Sequence, residues 1–176
     1  MKFRKLKYQK IDKGRRSNRL KGYDYASKGL YFITMCAADK YPFWGEVKNG
    51  VMHLNEAGKI ADHCWREVPR HFPHVGIISY VVMPDHVHGL IEIKMDAFAN
   101  GVRGKWNCFA QFCSPSRTVG SVVRGYKIGV VKGMKSLGIS KTVWQRNYHD
   151  SIVFNISNRH RIIGYIRNNP KKWVKA

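Results

Sequence analysis

Two histidines one residue apart, His86 and His88, open a segment rich in β-formers, HVHGLIEI. In a strand, residues 86 and 88 point to the same face, so the pair presents two imidazoles side by side. Neutral imidazole is a common metal ligand, and two on one face make half a metal site. Taken alone, the pair fits ordinary polar strand surface as well. Glu92 falls on the same side and reads either as an acid near the site or as strand-end surface. A metal held by two histidines would polarise a phosphodiester while a protein hydroxyl attacks phosphorus. That chemistry needs a nucleophile, and the chain has nine tyrosines. Tyr126 projects into the apolar arc of a helix and reads as core. Tyr165 lies on the shoulder of a helix whose buried face is Ile162, Ile163 and Ile166, and it reads as nucleophile or as structural tyrosine. Asn169 follows one turn later, where its side-chain carbonyl is a candidate third metal ligand. Gly164 inside that helix costs about 1 kcal/mol relative to alanine, which fits a close approach of backbone or DNA, or simple tolerance.

These residues must be positioned by the elements around them. Leu30 to Cys36 reads as a first strand. Asn55 can cap a helix with Ile60, Cys64 and Val68 at helical spacing, ending before Pro69 or Pro73. The run from Val75 to Ile93 is broken only by Met83-Pro84-Asp85, so its halves read as neighbouring strands joined by a tight turn. Residues 94 to 118 read as a surface loop, Ser121 to Leu137 as a helix closed by Gly138, and Val143 to Val153 as a strand. Ser157 to Asn169 reads as a last helix stopped by Pro170. The order β-α-β-β-α-β-α predicts an α+β fold: a ferredoxin-like split βαβ antiparallel sheet with an additional C-terminal helix carrying the tyrosine. With no repeat and no linker, residues 1–176 read as a single domain with a basic N-terminal arm (1–22).

Charge narrows the partner. The chain carries 32 Lys+Arg against 11 Asp+Glu, a formal net charge of +21. Basic charge of that size over one domain is the electrostatic footprint of nucleic acid. No long uncharged apolar run could span a bilayer, and the N-terminus lacks the apolar centre of a signal peptide, so no membrane is expected. The arm contributes Arg15, Arg16, Arg19 and Lys21. In the helix 121–137, Arg124, Lys127, Lys132 and Lys135 share an arc opposite Val122, Val123, Tyr126, Val130, Met134 and Leu137, with no acid in the segment. That arc is either a solvated face or a phosphate-binding one. Cys36, Cys64, Cys108 and Cys113 form no CxxC pair and read as reduced thiols of a cytosolic chain.

Four segments together, RLKGYDY at 19–25, YVVMPDHVHGLIEI at 80–93, VWQRNY at 143–148 and YIRNNPKKW at 165–173, resemble the single-tyrosine HUH transposases, in particular the REP-associated tyrosine transposases. The resemblance covers most of the chain apart from 94–118 and implies the same ferredoxin-like sheet. It implies Tyr165 as nucleophile, with His86, His88 and Asn169 holding Mg²⁺ or Mn²⁺. It further implies nicking and rejoining of single-stranded DNA through a 5′-phosphotyrosine, with imperfect hairpins beside a short recognition sequence as substrates. Arg146, Arg167, Lys171 and Lys172 then lie near the scissile strand. A cytoplasmic, nucleoid-associated location follows, as does a homodimer as one oligomeric state, with the tyrosine acting in cis or in trans. Asp85 stands where relatives often have Asn, and Asp150 to Asn155 departs from their Asp-His-Ile-Ile-Arg-Asn. A catalytically silent protein that only binds hairpin DNA, and an unrelated basic RNA-associated protein, are the competing expectations.

Overall fold

The computed structural model describes residues 20, 22–94 and 117–173. Its main sheet has four strands: β1 (Gly29–Cys36), β4 (Val75–Val82), β5 (His86–Ile93) and β6 (His149–Val153), in the order β4-β5-β1-β6. Each neighbouring pair is antiparallel. The outer positions of β4 and β6 and the central β5-β1 pair are those of the split βαβ arrangement. The fold is α+β, as the element order predicts.

Alternation along the strands separates two faces. One face carries Tyr31, Ile33, Met35, Val87 and Ile91, all fully buried. Against it pack α1 (Glu56–Arg66), through Ala57, Ala61 and Trp65, and α3 (Val119–Ser136), through Val122, Val123, Tyr126, Val130 and Met134. Trp65 meets Tyr126 edge to face, with ring centroids 4.9 Å apart. Gly89 makes room for this: a Cβ there would come within 2.1 Å of the Trp65 ring. The opposite face carries Leu90, Phe32, Leu30 and Val153, covered by α4 (Ile156–Asn168) through Ile162, Ile163 and Ile166. The histidines of β5 belong to this second face, beside α4.

The starts of α1 and α4 follow from side-chain caps. The Asn55 side chain accepts from Gly58 N at 2.8 Å, and the Asn155 side chain accepts from Asn158 N at 2.8 Å. Each satisfies an amide that the first helical turn leaves without a partner. At its other end α4 passes through Asn169 into a 3-10 turn, Pro170–Lys172. Pro69 lies in the first turn of a separate one-turn helix, α2 (Val68–His71), after α1 has ended.

Several expectations need correction. A short hairpin, β2 (Gly45–Lys48) and β3 (Val51–Leu54), precedes α1, where sequence periodicity was too brief to announce strands. Of the strand expected over 143–153, only 149–153 is continuous. Trp144 makes one isolated bridge to Ala37, and Asn147 takes a left-handed φ of 70°, which breaks the extended run. Leu137, placed on the buried arc of α3, is 45% exposed, because it lies past the last turn that reaches the core. Ile128 interrupts the basic arc with 61% exposure. The arm residues Arg15, Arg16, Arg19 and Lys21, the cysteines Cys108 and Cys113, and most of the 94–118 loop lie outside the described residues. No described helix is long and apolar enough to cross a membrane.

Candidate catalytic centre

Strand register delivers the histidines to a defined place. In the β1-β5 ladder Cys36 faces His86, Thr34 faces His88 and Phe32 faces Leu90. Residues directly opposite in an antiparallel pair share a face, so Thr34 and His88 stand side by side. Thr34 Oγ1 lies 2.8 Å from His88 Nδ1. The Phe32 ring stacks on the His88 imidazole at 5.3 Å. In the turn just before β5, Asp85 places Oδ1 2.5 Å from His86 Nδ1. The two imidazoles are 4.5 Å apart, centroid to centroid. Each δ nitrogen thus has an oxygen partner, which fixes ring orientation and leaves the ε nitrogens for other work.

Helix α4 brings in the tyrosine. Ile162, Ile163 and Ile166 anchor one side of the helix to the sheet, and Tyr165 emerges on the shoulder, 45% exposed. Its hydroxyl lies 3.2 Å from His88 Nε2. Its ring meets Phe32 edge to face at 6.0 Å, so Phe32 contacts both the imidazole and the phenol. Trp173, beyond the 3-10 turn, reaches back to within 5.8 Å of the His86 ring. Asn169 is only 9% exposed, one helical turn after Tyr165. Histidines from a strand and a tyrosine from a distant helix therefore meet within one chain.

Burial sets the protonation of His88. His88 is 5% exposed, and desolvation, followed by the neighbouring His86, lowers its pKa to about 3. It is neutral at physiological pH, the form that can ligate a cation. A nitrogen so reluctant to take a proton is a weak acceptor for a phenol proton. One Nε2 lone pair can serve the Tyr165 hydroxyl or a cation, but not both at once.

Two imidazoles with oriented ε nitrogens are a donor pair of the kind that suits a divalent metal tolerant of nitrogen. Among the described residues no three His, Cys, Asp or Glu side chains cluster as a metal site.

The other sequence-predicted residues divide. Arg124, Lys132, Lys135, Arg146, Arg167, Lys171 and Lys172 are exposed. Lys127 is directed inward instead: its ammonium donates to Gln145 O at 3.0 Å and to Asn147 O at 2.5 Å, beside the Trp144 ring. Desolvation lowers its pKa, which agrees with a charge held against the protein. It pins the segment before β6. Gly164 meets nothing within 4 Å at its Cβ position, so no backbone approach within the described chain accounts for it.

Thr34, Phe32 and Trp173 were not identified from sequence, because their roles depend on register and on where the chain turns after Pro170. His149 was missed for the same reason. It faces Thr34 from β6, on the same sheet face as His88, and is exposed.

No family model matches the chain. An uncharacterized protein from Haemophilus influenzae is 40% identical over 166 residues, covering 90% of this chain and 89% of that protein. Among solved structures, that of a REP-associated tyrosine transposase bound to a REP hairpin superposes with a TM-score of 0.56 at 20% identity. That likeness covers 89% of this chain and 76% of the other, and it establishes a shared fold. The chain belongs to the family of the Haemophilus influenzae protein and is built on the fold of the hairpin-bound transposase.

Proposed function

We propose that the chain is a DNA strand transferase of the single-tyrosine HUH type, acting on single-stranded or hairpin DNA. The observation that carries this reading is the meeting of the Tyr165 hydroxyl with His88 Nε2, beside His86 and within a strongly basic chain. In the first step Tyr165 Oη forms a bond to phosphorus and the bond from phosphorus to the 3′ oxygen breaks. The phenol proton leaves and the departing 3′ oxygen takes one up, giving a 5′-phosphotyrosine and a free 3′-hydroxyl. In the second step another 3′-hydroxyl attacks the phosphotyrosine, the bond from phosphorus to Oη breaks, and the phenol is restored. One phosphodiester replaces another, so no external energy source is required.

His86, His88 and the Asn169 side-chain carbonyl would hold Mg²⁺ or Mn²⁺. When bound, that ion neutralises charge developing on the phosphate oxygens. Asp85 and Thr34 orient the imidazoles, and Phe32 restrains both the His88 and Tyr165 rings. Arg167, Lys171 and Lys172 supply exposed cations on the segment around Tyr165, and Arg146 is exposed in the segment before β6; all suit a phosphate backbone. Arg124, Lys132 and Lys135 extend that charge along α3. Tyr165 and His88 of one chain already meet, which supports action in cis without a second subunit.

The test is incubation with end-labelled hairpin oligonucleotides and Mn²⁺, followed by a denaturing gel. A covalent protein–DNA band, absent in Tyr165→Phe and in the presence of chelator, is expected. Hairpin binding with no adduct under any divalent metal would indicate a silent binding protein, and preference for duplex RNA would indicate another class of binder.

A further inference from the structure

Helix α4 covers only part of the sheet face that carries the histidines. It starts soon after β6, whose Val153 joins its buried cluster, and it packs chiefly on β4 and β5. Tyr165 stands at the border of the covered part, its hydroxyl 3.2 Å from His88 Nε2 on β5. Toward β6 the same face continues through half-buried Thr34 to His149 and Ser151, both exposed.

Three strands set the spacing. Thr34 on β1 is the register partner of His88 on one side and of His149 on the other. Residues paired this way share a face, so His88, Thr34 and His149 form one row across the sheet. Steps of about 5.5 and 4.5 Å between Cα atoms alternate along such a row, which puts His149 roughly 10 Å from His88. The Tyr165 hydroxyl is held at one end of the row and an imidazole stands at the other. Between them, above Thr34, there is room for a phosphodiester.

Displacement at phosphorus sets the attacking and departing oxygens roughly in line, on opposite sides. With Tyr165 Oη attacking from the β5 side, the 3′ oxygen departs toward β6. The other titratable groups on this face, among the described residues, are placed elsewhere. His86 and His88 turn their δ nitrogens to Asp85 and Thr34, and Cys36 stands opposite His86. Glu92 is level with Leu30, roughly 13 Å along the strands from Thr34. Asp150 alternates to the opposite face with Ile152.

We propose that His149 is the acid that protonates the departing 3′ oxygen in cleavage and the base that deprotonates the attacking 3′-hydroxyl in joining. The inference rests on the strand-transferase reading given above. Imidazole is the side chain suited to both roles near neutral pH. In cleavage, Tyr165 Oη bonds to phosphorus and the bond from phosphorus to the 3′ oxygen breaks. The His149 imidazolium gives its proton to that oxygen, and the phenol proton passes to water. In joining, neutral His149 takes the proton of the incoming 3′-hydroxyl as its oxygen bonds to phosphorus, and Oη leaves with a proton from water. The imidazole ends the cycle as it began.

The test measures the rate of Tyr165 adduct formation by the full chain with Mn²⁺ on two substrates. One is the hairpin oligonucleotide that forms the adduct; the other is the same oligonucleotide with sulfur replacing the 3′ oxygen at the cleavage position. A thiolate departs without a proton far more readily than an alkoxide does. His149→Ala is expected to slow the oxygen substrate by about 100-fold and the sulfur substrate by less than about 3-fold. His149→Gln, which keeps a polar side chain but has no proton to transfer, is expected to give the same pattern. Equal slowing of both substrates, or cleavage of the oxygen substrate at the wild-type rate, overturns the proposal and leaves the strand-transferase reading standing. No adduct from the wild type with any hairpin or divalent metal removes that reading, and the proposal with it.

Discussion

Thr34 and Tyr165 hold opposite ends of one imidazole: Thr34 Oγ1 lies 2.8 Å from His88 Nδ1, and the Tyr165 hydroxyl lies 3.2 Å from His88 Nε2. The first contact comes from strand register and the second from helix packing. His88 is thus in contact with both the neighbouring strand and α4.

Removing the register contact should impair chemistry more than folding. Thr34→Val keeps the shape and deletes the oxygen that orients His88. Outer partners of this kind are worth about 10–100-fold in metal affinity or activity. Adduct formation is expected to fall by that order in Thr34→Val, with an unchanged circular dichroism spectrum and with partial recovery in Thr34→Ser. Full activity in Thr34→Val would show that His88 needs no such partner.

Acid should destabilise the metal-free protein through His88. Its folded pKa of about 3 lies below the unfolded value near 6.5, so the unfolded chain takes up a proton that the folded chain refuses. The penalty is absent above about pH 6.5, grows as pH falls and levels off near pH 3. At pH 5 it is roughly 2 kcal/mol, from about 1.5 pH units at 1.36 kcal/mol each. Urea unfolding in chelator at pH 7 and pH 5 measures it, with His88→Leu as reference. An equal loss in both proteins would assign the acid sensitivity to other groups.

Much of this arrangement could be read from residue order, and the parts that could not share one physical cause. The two same-face histidines, the shoulder position of Tyr165 and the Asn55 cap each follow from local periodicity or spacing. The β2-β3 hairpin was missed because each strand has only four residues. Thr34, Phe32 and His149 were missed because their partners lie on other strands, and register is a tertiary property. Lys127 was assigned to an outward basic arc by projection, yet its flexible stem carries the ammonium to two carbonyls. Projection fixes where Cβ points and does not fix where a long side chain ends.

Lys127 and Lys132, five residues apart on α3, should therefore behave differently. Lys127→Met uncaps the carbonyls of Gln145 and Asn147 and should cost about 1–3 kcal/mol in urea unfolding. Lys132→Met should leave stability within about 0.5 kcal/mol, as expected of an exposed position. It should reduce the salt slope of DNA binding instead. Equal stability of the two variants would contradict an inward role for Lys127.

Gly89 tests the packing beneath the histidines. A Cβ there would lie 2.1 Å from the Trp65 ring, so Gly89→Ala must displace a buried indole or the strand. Overpacking of this kind costs about 1–3 kcal/mol, occasionally more. Gly164→Ala meets no such obstacle and should stabilise α4 by up to about 1 kcal/mol. Thermal unfolding of the two variants should move in opposite directions.

The strand-transferase reading is tested most directly by locating the covalent bond. After reaction with hairpin DNA and Mn²⁺, nuclease trimming and trypsin digestion, mass spectrometry can assign any nucleotide adduct. Cleavage after Arg161 and Arg167 releases a peptide with Tyr165 as its only tyrosine. A nucleotide mass on that tyrosine, lost when Mn²⁺ is chelated, is the predicted result. A nucleotide on any other residue, or cleaved DNA with no protein adduct, would contradict the assignment of Tyr165 as the nucleophile.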